Sequence, residues 1–236
     1  ALQANSGLDT LEAAHETIMA KMVGRWRSGI PLEIAPDYAQ AKALESQWSD
    51  VINLNGKPTS QAEAARLAAY EKLIMDFRYR DDAIGARCPM TAHIRRVNPR
   101  DALSPLPAAP DTALTNRRRL LRRGAPYGDS TTQDDTGEHG VIFMALCASL
   151  FNQFEFVQQQ WVHYGASFGA GNDTDPLTGL RRPGAKFVIP AEPGQSTPPF
   201  FCANIPQFVE TRGGEYFLLP SLTALRQIAQ GSVDPT

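Results

Sequence analysis

The apolar residues of this chain change period along its length, and that alternation limits the fold more than any other feature. Leu11, Ile18, Met19, Met22 and Trp26 recur at helical spacing, behind Asp9 and Glu12 in a capping-box arrangement, and the pattern stops near Gly24. A short helix is expected around Tyr38 to Trp48. Ser60 with Glu63 caps a second clear helix that carries Leu67, Tyr70, Leu73 and Ile74 and runs to about Met75. Residues 76–100 look irregular. The stretch NRRRLLRRGAPYG then reads as a short strand ending in a Gly/Pro turn, and VIFMALCA as a buried strand. Helical spacing returns in SLFNQFEFVQQQWVHYG, with Phe151, Phe154, Val157 and Trp161 on one face and Glu155 at its edge. EYFLLP is expected as a last strand and SLTALRQIAQG as a last helix stopped by Gly231. Short strands interleaved with helices, without strict βαβ alternation, predict an α+β fold with helices on one face of a sheet.

The connections agree with that division. SPLPAAP, residues 104–110, reads as a proline-rich connector, TTQDDTGEHG as a surface loop, and the Gly-, Pro- and Asp-rich segment 166–199 as a long excursion. With 236 residues, 42% of them hydrophobic, there is material for one sizeable core or two small ones. No apolar run approaches the length of a membrane span, and the N-terminus lacks the order of a secretory signal, so a cytoplasmic protein is expected. Cys88, Cys147 and Cys202 are far apart and form no C-x-x-C pair, which makes them three small buried hydrophobes rather than a disulfide framework or a zinc site.

Charge is the uneven quantity. The formal net charge is -2, yet nine arginines lie between Arg87 and Arg123 against two acids and no lysine. Arginine's rigid fork suits carboxylates and phosphates, so an anion is expected there; the competing reading is a solvated basic face. A nucleic-acid or other polyanion-binding module is a further alternative, opposed by a pI near 6.1 and by the lack of aromatics interleaved with the arginines. Among the four histidines only His93, within CPMTAHIRRVNPR, stands in this company. One histidine plus clustered cations is what a haem iron and its two propionates require of a protein.

CPMTAHIRRVNPR, RRRLLRRGAPYG, FNQFEFVQQQW, RGGEYFLLPSLTALR and AKMVGRWRSGIPL together resemble the C-terminal half of the dye-decolourising peroxidases, and they extend over nearly the whole chain. The resemblance implies a ferredoxin-like domain of the dimeric α+β barrel type covering residues 1–236, haem b as cofactor, and hydrogen peroxide and a bulky organic reductant as substrates. It makes His93 similar to the proximal iron ligand and Arg122 to the distal arginine that steadies bound peroxide. Arg100 resembles a propionate partner, Glu155 the acid that accepts the proximal histidine's second N–H, and Leu120 and Phe143 an apolar distal lining. Each has a plainer reading as well: Arg100 as a partner of Asp101 or of a helix C-terminus, Glu155 as a surface charge, Leu120 and Phe143 as sheet core. Trp26, Trp161, Tyr164 and Tyr216 are either radical relays or ordinary core aromatics.

One family feature is missing. The distal acid belongs to a G-x-x-D-G motif upstream of the histidine, and the dipeptide Asp-Gly occurs nowhere in this sequence. The expectation is therefore a chain without the family's N-terminal domain: a cleavage product, one subunit of a split enzyme, or a non-catalytic haem-binding relative. Such a chain should expose apolar sheet surface and need a complementary chain or a second copy of itself. Neither nucleic acid nor a membrane is an expected partner.

Overall fold

Thr10 begins the first helix by accepting the Ala13 N–H on its hydroxyl, and Gly24 ends it at φ 96°, its N–H on the Ala20 carbonyl. This computed structural model describes residues 10–54, 56–103, 113–128, 137–191, 194 and 198–232. Asp9, the connector 104–110 and most of the loop 131–140 lie outside the described residues. Helices α1 (Leu11–Val23), α2 (Tyr38–Gln47), α3 (Ser49–Ile52) and α4 (Gln61–Met75) are followed by the short α5 (His93–Val97) and α6 (Ala113–Asn116), with α7 (Leu222–Ala229) near the end. Ser60 caps α4 as its sequence implies, taking the Glu63 N–H at 3.1 Å. Residues 76–100, irregular in sequence, contain a 3-10 turn over Tyr79–Asp82 as well as α5.

The α+β class stands, with the strands arranged as two antiparallel pairs among the described residues. β1 (Leu121–Gly128) pairs with β2 (His139–Leu146), and β3 (Lys186–Ile189) with β4 (Phe200–Ala203). β3 and β4 lie in and just beyond the segment expected to be an excursion. EYFLLP forms no strand; it is largely exposed, and a strand needs a hydrogen-bonding neighbour, while no backbone hydrogen bond joins it to one among the described residues. β2 is not the buried strand expected: Val141, Ile142, Phe143 and Met144 are all about half exposed. The run from Phe151 to Val162 is helical but mostly π rather than α, as in the Glu155 N–H to Leu150 carbonyl bond of 3.0 Å.

Three clusters make up the interior. The largest joins α1 to α4 through Trp26, Ile30, Leu32, Val51 and Tyr70 and reaches Tyr79, Cys88 and Ala92. The second centres on Val157, Trp161, Val162 and Phe168, with Met90 and Val97 packed on it. Phe187, Ile189 and Ile205 form the third. Ala92 in one cluster and Val97 in the next place α5 at the seam between two cores, and α5 packs directly on the π segment. Gly24 holds α1 to that seam: a Cβ there would meet Cys88 Sγ and Ile94 Cβ at 3.4 Å. Because the left-handed φ also strains any L side chain, Gly24→Ala should cost about 1–3 kcal/mol in urea unfolding.

Candidate functional site

His93 opens α5, and its Nδ1 lies 2.8 Å from Asp175 Oδ2. Asp175 follows the π segment, anchored by its own N–H on the Val162 carbonyl at 2.9 Å. Its other carboxyl oxygen takes the N–H groups of Leu177 at 2.8 Å and Thr178 at 2.9 Å, a turn that aspartate forms readily. Burial works to raise Asp175, but the His93 bond and the two amides outweigh it and hold this carboxyl below its ordinary value. An ionised carboxylate opposite Nδ1 makes that nitrogen the protonated one. Nε2 keeps its lone pair, on a side chain that is 29% exposed. The arrangement is a carboxylate-oriented imidazole, a donor suited to one axial position on a metal.

Asp175 is the residue that sequence reading missed, and it corrects the role of Glu155. Glu155 sits in the π segment beside Tyr216; burial and then the contact with Glu155 push the Tyr216 hydroxyl above its ordinary value. Lying 82 positions from His93, Asp175 carries no periodic signal; only the Asp-Pro turn composition of NDTDPLTG marks it.

Arg100, expected as a propionate partner, is placed at the C-terminal end of α4. Its guanidinium stacks on Phe77 at 3.8 Å and donates to the carbonyls of Met75 at 2.9 Å and Phe77 at 3.1 Å, which satisfies the C-terminal end of α4. Its neighbour Asp101 is taken by Arg80 at 2.7 Å and the Tyr79 N–H at 2.9 Å. The expected basic face is not continuous either. Arg95 and Arg96 are buried, and Arg118 stacks on Phe156 at 3.7 Å while donating to the Asn152 carbonyl. Arg96 donates to the Asp173 carbonyl at 2.7 Å and leaves Nε and Nη1 without a partner; burial first of all lowers it to about 10.

Arg122 stands on β1 opposite Ala145, and Phe143 opposite Gly124. Alternation therefore puts Arg122 and Phe143 along one side of the hairpin, and the half-buried Leu120 lies just before β1. That side is open: Phe143 is 49% exposed and touches Phe154 at a centroid distance of 6.2 Å, so it is not sheet core here. Trp26 and Trp161 are buried, whereas Tyr164 and Tyr216 reach the surface. A cavity of about 370 Å³ is walled in part by Met90, Thr91 and Asp173, from the segments that carry His93 and Asp175.

Known proteins resemble this chain in sequence and fold. A family model described as Dyp-type peroxidase, C-terminal, matches residues 59–190. Dye-decolorizing peroxidase msp1 of Mycetinis scorodonius is 30% identical over 93% of this chain and 40% of its own length. Multifunctional dye peroxidase DyP2 of Amycolatopsis sp. is 36% identical over 65% of this chain and 35% of its own length. Among solved structures, a dye-decolorizing peroxidase in complex with 2,6-dimethoxyphenol superposes with a TM-score of 0.67 at 28% identity, over 95% of this chain and 45% of that one. The chain thus spans about two fifths of the length of the curated relatives it matches. With the ferredoxin-like α+β fold of those structures and a family match over more than half its residues, the chain belongs to the DyP-type peroxidase family, in the part described as C-terminal.

Proposed function

We propose that this chain is the haem-binding C-terminal part of a DyP-type peroxidase, with His93 as the axial ligand. The observation that carries the reading is the 2.8 Å bond from His93 Nδ1 to the buried Asp175 carboxylate. That bond fixes the tautomer and ring direction, leaves Nε2 as the free donor, and raises its basicity. The residues fit the group in a second respect, since Arg96 keeps two buried N–H positions without partners on the same five-residue helix. Haem b bound there would supply the iron at which hydrogen peroxide is reduced and bulky reductants such as dyes or phenols are oxidised by single electrons. Arg122, on the open side of the hairpin, would donate hydrogen bonds of about 1.5–3 kcal/mol each to an anionic oxygen held over that side.

The same reading explains the bare apolar surface. Leu121, Val141, Ile142 and Met144 on the hairpin, and Phe217, Leu218 and Leu219 after it, are all more than half exposed. Leu222, Leu225 and Ile228 of α7 add an exposed apolar row at helical spacing. A complementary polypeptide, equivalent to the rest of the relatives' length, would cover this surface and bring the acid that moves the peroxide proton.

A hemin titration tests the site. The chain should give a saturable one-to-one Soret shift that is lost in His93→Ala. A titration that saturates equally in the variant removes His93 as ligand, and with it this reading.

A further inference from the structure

Two carboxyl side chains share one buried space beneath α5. Those of Glu33 and Asp82 are 2% and 3% exposed, yet their surroundings are unequal. Asp82 accepts four donors: the N–H groups of Ala86 at 2.7 Å and Arg87 at 3.2 Å on Oδ1, and the Cys88 N–H and Arg95 Nη1, both at 2.9 Å, on Oδ2. Both Asp82 oxygens are thus fully served by donors. Glu33 has no hydrogen-bond donor on either oxygen. Its cationic neighbours, Arg87 Nη1 at 3.9 Å and Arg95 Nη1 at 4.0 Å, are beyond hydrogen-bond reach, and the Arg95 nitrogen already donates to Asp82 and to the Cys88 carbonyl. A buried carboxylate without donors is costly, and holding a proton removes that cost.

We propose that Glu33 is a positioning residue for His93, kept as a neutral carboxylic acid beside Asp82 so that Arg95 stays committed to Asp82 and anchors α5. The lever is short. Arg95 lies two residues from His93 on a five-residue helix and ties it to Asp82, to the Cys88 carbonyl and to the Asp82 carbonyl at 2.8 Å. Loss of the Glu33 proton would set a second negative charge in competition for Arg95 Nη1. Arg95 would then turn toward Glu33, and α5 with the His93–Asp175 bond would shift.

Besides Asp82, Arg87 and Arg95, the groups facing this space are Lys21 and Cys88. Lys21 donates to the carbonyls of Ala86 at 3.0 Å and Arg87 at 2.6 Å, and burial pushes the Cys88 thiol up to about 12. Burial, and next the Asp82 charge, push Glu33 up to about 8. The folded chain therefore keeps a proton that the unfolded chain releases in the ordinary carboxylate range. The resulting stability is fully present below that range and is lost as pH rises toward about 8.

The functional consequence rests on the reading of His93 as ligand, whereas the proton and its effect on α5 do not, so the test uses the chain without hemin. Isotope-edited infrared of side-chain-labelled glutamate, titrated from about pH 5 to about 10, should show a protonated carboxyl band at neutral pH that disappears near the Glu33 value and is absent in Glu33→Gln. Nitrogen-15 signals of the His93 ring should shift with the same midpoint. That transition at the Glu33 midpoint should be absent in Glu33→Gln, whose amide remains neutral beside Asp82, and the fall in thermal stability with rising pH should flatten in that variant. Absence of the band at neutral pH overturns the proposal. So does a His93 ring indifferent to the band's disappearance, and the unsubstituted chain alone decides both if Glu33→Gln does not fold. Failure of the hemin titration with these results intact would remove only the haem reading.

Discussion

Asp175→Asn should leave the chain folded while weakening hemin binding by about 10–100-fold, the usual consequence of removing a partner that orients a ligating histidine. The separation of effects follows from the two duties of this carboxyl. One oxygen takes the Leu177 and Thr178 amides, and an asparagine oxygen accepts them as well. The other faces His93 Nδ1 at 2.8 Å, where asparagine presents an N–H in place of a charged acceptor. Nδ1 must then become the acceptor, the ring proton moves to Nε2, and the lone pair that faces outward is lost. Asp175→Ala removes both duties and should also lower stability, by about 1–3 kcal/mol, through the orphaned amides. Hemin titration and urea unfolding of the two variants side by side separate these roles, and nitrogen-15 spectra of the ring read the tautomer directly. Unchanged hemin affinity in Asp175→Asn would mean that this carboxylate does not govern the ligand.

The helices were legible because their signals are local. Ser60 with Glu63 and the stop at Gly24 act within one turn, so the sequence marks α1 and α4 to within a residue or two. His93 was legible through its charged neighbours. Asp175 was not, because its partner comes from a turn whose fold depends on the π segment and on the Val162 carbonyl, and no spacing encodes that meeting. Glu155 attracted the role because it sits on a helix in a familiar block; a π-helix turns its side chains differently from an α-helix, and Glu155 meets Tyr216 instead. β3 and β4 escaped notice as four-residue strands among glycines and prolines. EYFLLP shows the reverse case: strand-like composition predicts a strand only where a neighbour exists to pair with it. The arginine cluster was visible as charge, but charge counting does not tell a buried anchor from a solvated face, and Arg95, Arg96 and Arg118 are packed rather than presented.

Arg95→Met should destabilise the chain by about 3–5 kcal/mol, the range expected when one member of a buried ion pair is removed. Its side chain is 1% exposed, lies over the Tyr79 ring at 4.7 Å, and donates to Asp82 and to the carbonyls of Asp82 and Cys88. Methionine fills much of the volume but leaves the Asp82 carboxylate buried without its cation and the Cys88 carbonyl without the donor it had, while the Asp82 carbonyl keeps the Gly85 N–H. Lysine should recover little, since one ammonium cannot span the positions that the guanidinium fork reaches at once. A simple ion pair can often be replaced by two apolar residues at no cost, but this one should not follow that rule. Asp82 also holds the Ala86, Arg87 and Cys88 amides, so Arg95→Met with Asp82→Leu orphans three backbone donors and should be less stable than Arg95→Met alone. Urea unfolding of the three variants measures the ordering, and a double variant as stable as the original chain would show that Asp82 serves Arg95 only. Because Arg95 reaches from α5 into the largest core cluster, the stability of that cluster and the placement of His93 are one property of the chain.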